Sequence, residues 1–171
     1  LEAVKTMAAI AEQAEKDRNA MGEYEVPMNE NCSQREFLAH AAIDATRKLG
    51  VAGIITDSLT GETVRHLAAF RGPNPILAIC YNEKTQRWLN LSFGVIAIHQ
   101  KDKISPNYMF TAALRMLRQK GYITLDDKIA YLSGSFGLGN PGGTTFLEIN
   151  KVRQVFDKSY KFHLPNKETD K

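Results

Sequence analysis

The sequence predicts an α/β fold, a three-layer α/β/α sandwich around a mostly parallel sheet. Short apolar runs alternate along the chain with segments of helical pattern, which is typical of βαβ units. The runs at 51–56, 76–81 and 94–99 are almost continuously apolar, as in parallel strands covered on both faces. A hydrophobic fraction of 43% and a charged fraction of 24% indicate a globular domain, and 171 residues suffice for one.

Two helices are predicted before the first strand, separated by a polar segment. Apolar residues recur every three or four positions in residues 1–18, as in an amphipathic helix. Residues 19–32 have no periodicity and are predicted to form a loop or linker. Ser33 and Glu36 have the spacing of a capping box that starts the second helix, and Gly50 suits the position just past its end.

The domain proper is predicted to span residues 33–150, with five strands and three further helices after residue 50. The strands are expected at 51–56, 76–81, 94–99, 128–134 and 145–149. The helices are expected at 62–71, 83–91 and 106–121. Residues 151–171 are predicted to be a polar C-terminal tail, of which residues 158–171 are expected to be frayed.

Charge and cysteine content exclude several classes of function. The net charge of +3 is mild and the basic residues are scattered, so we expect no nucleic-acid binding. Cys32 and Cys80 have no Cys or His at metal-ligand spacing, which indicates reduced thiols in a cytoplasmic protein and no metal. No apolar run reaches the ~20 residues that span a bilayer, so we expect no membrane association. Because the sequence starts at Leu1 within a helical pattern, we expect a fragment of a longer protein.

The first candidate ligand site is the turn at residues 58–63, Ser-Leu-Thr-Gly-Glu-Thr, between the first strand and its helix. Turns of this kind lie at the carboxyl edge of a parallel sheet, where helix amides bind anions. The hydroxyl groups can donate to phosphate oxygens, and Gly61 allows close approach of the backbone. The alternative, favoured by residue types alone, is that Ser58 or Thr60 merely caps the helix. Glu62 would repel a phosphate at this position.

The second candidate is the glycine-rich segment 133–143, after the fourth predicted strand. No helix follows it, so a dinucleotide-binding loop is disfavoured and a tight connection between strands is expected. Thr144 is a candidate contributor to the same pocket as the 58–63 turn. The histidines and the Asp126–Asp127 pair lack the spacing of a catalytic triad or a carboxylate pair, so residues alone identify no catalytic constellation.

The order of these motifs resembles the C-terminal domain of pyruvate kinase. The turn "SLTGET", the helix end "AAFR" and the run "PILAICYNEKTQRWLNLSFGV" follow that family's order. Asn82, Thr85 and Arg87 match its N-x-x-T-x-R pattern, the most specific part of a resemblance that covers residues 1–149. The first helix resembles the one that follows the last strand of that enzyme's catalytic barrel.

The resemblance implies a regulatory and oligomerisation domain of a glycolytic enzyme that transfers phosphoryl from phosphoenolpyruvate to ADP, giving pyruvate and ATP. It also implies a five-stranded sheet with an antiparallel last strand, and a tetrameric parent, with a dimer expected for the fragment. The Mg²⁺ and K⁺ of the parent belong to its barrel. We therefore expect this chain to bind no cofactor or metal and to have no catalytic residue. The alternative is a stand-alone phosphate- or nucleotide-binding module related to this domain.

The resemblance further implies that an effector phosphate is held at the matching positions of the turn, which are Ser58, Leu59, Thr60, Gly61 and Thr63. The remaining candidate pocket residues are Glu62, Gly142, Gly143 and Thr144. Glu62 and Thr145 depart from the family pattern. The segment 100–108 lacks the tryptophan and arginine that hold a second phosphate in some eukaryotic enzymes. A sugar monophosphate or a nucleotide is therefore the expected effector.

Overall fold

A computed structural model describes residues 1–20, 27–100, 106–134 and 143–156. The helices are α1 (Glu2–Ala20), α2 (Gln34–Lys48), α3 (Glu62–Ala69), α4 (Glu83–Leu89), α5 (Pro106–Gln119) and α6 (Val152–Phe156). The strands are β1 (Val51–Ser58), β2 (Ile76–Cys80), β3 (Val95–His99), β4 (Lys128–Ser133) and β5 (Phe146–Lys151). Most of the glycine-rich segment, including Gly142, and residues 157–171 of the predicted tail lie outside the described residues.

The five strands form one sheet in the order β3-β2-β1-β4-β5. The pairs β1–β2, β2–β3 and β1–β4 are parallel, whereas β4–β5 is antiparallel. This confirms the predicted fold class, including the antiparallel last strand. The chain builds outward from β1 to β3 and then returns through α5 to place β4 on the other side of β1. The carboxyl ends of β1 and β4 therefore border the point where strand order reverses, which is where ligands bind in such sheets.

Helices cover both faces of the sheet, so the three-layer prediction is correct. Alternate residues of each strand point to opposite faces, so Ile54 packs with α2, α3 and α4, whereas Ile55 packs with α5 and α6. Both side chains are fully buried. The continuous apolarity of the central strands follows from this double coverage.

The predicted start and end of α2 are confirmed. The Glu36 amide donates to Ser33 Oγ at 3.2 Å, and the Ser33 amide donates to the Glu36 carboxylate at 2.8 Å, which completes the capping box. Gly50 has a φ of 64°, the left-handed conformation that ends helices without steric cost in glycine. Local sequence alone therefore determines both ends of this helix.

The structure differs from the predicted elements by one or two residues at several boundaries, and the differences at the end of α3 and after β5 have a clear physical cause. Helix α3 ends at Ala69 rather than at 71, because Arg71 adopts a φ of 47° and leaves the helical conformation. Residues 151–156, which the sequence assigned to the polar C-terminal tail, extend β5 and form α6, whereas the segment expected to fray, 158–171, lies outside the described residues. Val152 is fully buried there and its amide donates to the Asp127 carbonyl at 2.9 Å, so tertiary burial orders a segment that its polar sequence context did not favour.

Helix α1 confirms the predicted N-terminal amphipathic helix. Leu1, which precedes this helix, and the helix residues Val4, Met7 and Ile10 are all exposed, at 64% or more. None of the described helices combines the length and the apolarity needed to cross a membrane.

Candidate anion-binding site

The 58–63 turn lies at the carboxyl end of β1, as predicted. Gly61 is the N-cap of α3, with a φ of 84°, and no side chain caps this helix among the described residues. The Ser58 hydroxyl accepts a hydrogen bond from the Gly61 amide at 2.8 Å and so closes the turn. The hypothesis that Ser58 or Thr60 caps α3 is therefore wrong. Instead, the first amides of α3 are left without a side-chain acceptor in the described part of the chain, which suits an anion.

Gly61 fits this turn for steric reasons as well as for its backbone conformation. A Cβ atom built on it would lie 3.1 Å from Leu89 Cδ2, because α4 packs directly against the turn. The Thr85 hydroxyl of α4 donates to the Leu59 carbonyl at 3.3 Å. Helix α4 thus holds the turn in place through these two contacts, which preorganises the backbone amides.

Thr63, on the first turn of α3, is hydrogen-bonded to Thr144, which precedes β5. Their Oγ1 atoms are 2.7 Å apart and both residues are buried. The structure thus places Thr144, a predicted contributor to the pocket, against the 58–63 turn. In such a pair one hydroxyl donates to the other, which leaves the second proton available to a ligand. Gly143 lies next to Thr144. The Gly143 carbonyl packs closely on Gly134, because a Cβ atom built on Gly134 would lie 2.2 Å from the Gly143 carbonyl oxygen.

Glu62 is paired with Arg35, a residue that the sequence did not single out. Arg35 Nη1 lies 2.5 Å from Glu62 Oε1, joining the first turn of α2 to the first turn of α3. Glu36 of the capping box lies beside the same helix, with Oε1 at 3.8 Å from His66 Nδ1. Hydrogen bonds from Ser33 lower the pKa of Glu36, and His66 lowers it further. The charge of Glu62 at this helix end is therefore compensated by a guanidinium group.

A second polar group lies at the same edge of the sheet, on the α5 face. The Asp57 carboxylate accepts hydrogen bonds from the Ser133 hydroxyl and, at 3.4 Å, from the Tyr81 hydroxyl. Burial, together with the nearby Asp57 charge, raises the pKa of Tyr131 to about 12. Burial is also the main cause of the raised pKa of Tyr81. No sequence signal pointed to this group, because its members lie in β1 and β4 and just after β2, far apart along the chain.

The other predicted site residues are distributed as follows. Leu59 and Thr60 are exposed on the turn, and Gly143 is half-buried next to Thr144. Ser58 is buried and directs its oxygen at Gly61, so it shapes the turn rather than facing solvent. Within the described residues, no group of three or more His, Cys, Asp or Glu side chains could hold a metal ion.

Comparison with known proteins identifies relatives along most of the chain. Residues 36–150 match the family described as "Pyruvate kinase, alpha/beta domain". The pyruvate kinase of Borreliella burgdorferi is 32% identical over 157 residues, which cover 91% of this chain and 33% of that protein. The pyruvate kinase of Bacillus licheniformis is 29% identical over 163 residues, covering 92% of this chain and 27% of that protein. This chain therefore spans about a third or less of these relatives.

A solved structure supports the same fold. Cryptosporidium parvum pyruvate kinase in complex with ADP superposes with a TM-score of 0.67 over 73% of this chain and 25% of that chain. The sequence identity is 18%, so this likeness concerns the fold alone.

Proposed function

This chain belongs to the pyruvate kinase α/β domain family, and we propose that it is the regulatory and oligomerisation domain of such an enzyme. We further propose that it binds a phosphate-bearing effector at the 58–63 turn. One observation carries the site: the uncapped start of α3 meets the Thr63–Thr144 hydroxyl pair at the carboxyl edge of the sheet. Backbone amides, a helix dipole and a free hydroxyl proton are the groups that hold a phosphate.

A monophosphate is the effector class that these groups suit. The turn itself, residues 58–63, contains no lysine or arginine. Its attraction for anions therefore comes from dipoles and from one neighbouring guanidinium, which fits a single phosphate group better than two. A sugar monophosphate or a nucleotide such as AMP meets this description.

Ligand-dependent stability is the direct test of the effector site. Glucose 6-phosphate, ribose 5-phosphate, AMP and fructose 1,6-bisphosphate would each be added at millimolar concentration, with potassium chloride at matched ionic strength as the control. A ligand at a hundredfold excess over its Kd stabilises the fold by about 2.7 kcal/mol. We expect at least one monophosphate to raise the melting temperature. No shift with any of the four compounds would contradict the proposed site.

Catalysis is proposed to require parts of the enzyme that this chain does not contain. The chain covers about a third or less of its relatives, and we assign the Mg²⁺ and K⁺ sites and the reacting groups to the catalytic barrel of the parent. A cytoplasmic location follows from a role in glycolysis. The test is production of ATP from phosphoenolpyruvate and ADP by the purified chain. A rate above a protein-free control would contradict the proposal.

Self-association is proposed to use the β5 edge of the sheet. The β3 edge is blocked, because the Ala97 amide donates to Asn90 Oδ1 at 2.9 Å and the Ala97 carbonyl accepts from Gln86 Nε2 at 3.3 Å. Strand β5 is the other edge, and we propose that it pairs with a second copy in a dimer. Sedimentation across a hundredfold range of protein concentration tests this idea. A monomer at all concentrations would contradict it.

A further inference from the structure

The ion pair between Arg35 and Glu62 joins helix α2 to a residue of the 58–63 turn, where the effector site is proposed. The two atoms are 2.5 Å apart, and the side chains are 23% and 46% exposed, so solvent screens this pair only in part. Each residue occupies the first turn of its helix, α2 for Arg35 and α3 for Glu62. The pair therefore connects two helix starts at the position where an anion bound to the α3 amides would be placed.

We propose that Arg35 is the cationic residue of the effector site and that Glu62 is its internal counterion, displaced from Arg35 when an effector phosphate binds. This inference rests on the proposed function and adds a residue and a mode of regulation to it. Without an effector, the Glu62 carboxylate is paired with the Arg35 guanidinium. With an effector, the guanidinium pairs with the phosphate.

The charge balance of the turn favours this exchange. The nearest basic residue along the chain, Arg65, is held 4.8 Å above the Trp88 ring on the exposed side of α3 and α4. Arg35, by contrast, places its guanidinium group in direct contact with Glu62 of the turn. A phosphate monoester carries about −1.5 to −2 charges at neutral pH against −1 for a carboxylate. The planar guanidinium also matches phosphate oxygens in a two-pronged geometry.

Glu62, rather than its neighbour Glu36, is the carboxylate that can be displaced. Glu36 is anchored by the capping box, because it accepts hydrogen bonds from the Ser33 amide at 2.8 Å and the Ser33 hydroxyl at 2.9 Å. Within the part of the chain that the structure describes, no side chain caps α3, so Glu62 is held by no capping box of this kind. An anion at the α3 amides would repel Glu62 directly. Effector binding would therefore break a link between α2 and α3 and replace it with a link through the phosphate.

Binding of ribose 5-phosphate and of inorganic phosphate to four forms of the 171-residue chain tests the exchange. The forms are the wild type, Arg35→Gln, Glu62→Gln and the double variant, with Kd measured by calorimetry. We expect Arg35→Gln to weaken binding by about tenfold or more, the usual effect of losing a charge-assisted hydrogen bond. Glu62→Gln should tighten binding, because Arg35 no longer needs to be released. The double variant should bind like Arg35→Gln.

Arg153→Gln is the matched control, because Arg153 forms an ion pair with Asp126 at 2.7 Å near the amino end of β4. It should leave Kd unchanged. If the Arg35–Glu62 pair only braces the two helices, both substitutions will lower the unfolding midpoint and leave Kd unchanged, which would overturn the inference. Equal binding by the wild type and Arg35→Gln would overturn the inference and leave the proposed effector site intact. No binding to the wild type or to Glu62→Gln would overturn both.

Discussion

Thr63 and Thr144 are joined by a hydrogen bond of 2.7 Å between their side-chain oxygens, across 81 positions of sequence. The bond ties the start of α3 to the segment that enters β5, and both residues are buried. A contact between the turn after β1 and the segment before β5 makes the proposed phosphate site dependent on the whole order of the sheet. It also gives this site a direct connection to the edge strand proposed for self-association.

Replacing Thr144 with valine should destabilise the chain and weaken effector binding. The shape is preserved, but the buried Thr63 hydroxyl loses its partner, which costs roughly 1–3 kcal/mol. The double variant Thr63→Val/Thr144→Val should be destabilised by clearly less than the sum of the single variants, because neither side then leaves a buried group unsatisfied. Urea unfolding of all four forms measures this coupling. Additive losses would show that the two hydroxyls do not interact.

Replacing Gly61 with alanine should be more costly than the same change at Gly50. Both residues have positive φ angles, 84° for Gly61 and 64° for Gly50. An alanine in this left-handed conformation should lower the free energy of unfolding by about 1–2 kcal/mol at either position. A Cβ at position 50 meets nothing within 4 Å, whereas one at position 61 lies 3.1 Å from Leu89 Cδ2. The difference between the two unfolding free energies isolates the contact of the turn with α4. Equal losses of stability at the two positions would mean that Leu89 of α4 can move away from the added methyl group without an energetic cost.

The capping box should make stability depend on acid pH. Hydrogen bonds from Ser33 lower the pKa of Glu36 in the folded state. The resulting stabilisation is present above the pKa of an unfolded glutamate, about 4.3, and is lost as pH falls through the lower folded value. Ser33→Ala should cost about 1 kcal/mol at pH 7 and should flatten the dependence between pH 5 and pH 3. Ser33→Thr keeps the cap and is the control. If stability falls with pH in the same way for Ser33→Ala as for the wild type, the capping box is not the cause of the pH dependence.

Alkaline pH should unfold the chain through its buried tyrosines. Burial raises the pKa of Tyr131 to about 12 in the folded state. The neutral phenol therefore contributes stability below the unfolded pKa of about 10, and this contribution is lost as pH rises from there to about 12. Tyr131→Phe should reduce the loss of stability over this range, whereas Tyr122→Phe, at a site that is 49% exposed, should not. Denaturant midpoints measured from pH 9 to pH 12 decide between these outcomes.

The fold was predictable because its signals are local. Ser33 and Glu36 are three residues apart and Gly50 follows the helix they start, so both ends of α2 could be predicted without knowledge of any neighbour. Helices cover both faces of the sheet, so strands β1, β2 and β3 are almost continuously apolar. This signal is present in the sequence of each strand by itself. The position of the 58–63 turn at the carboxyl edge of the sheet could be predicted because the turn comes directly after the first of these strands. Whether it binds an effector stays a prediction.

The contacts of the candidate site could be decided only by the tertiary structure. The partners Arg35 and Glu62 lie on different helices, and Asp57 and Ser133 lie on different strands from each other, while Tyr81 follows a third strand. Helix α6 was missed for the same reason, since Val152 gains its order from burial under distant residues. Sequence pattern by itself determined which segments form helices, strands and turns, because propensity and periodicity act between near neighbours. Which charge faces which hydroxyl depends on strand order and helix packing, and these join residues that have no local relation.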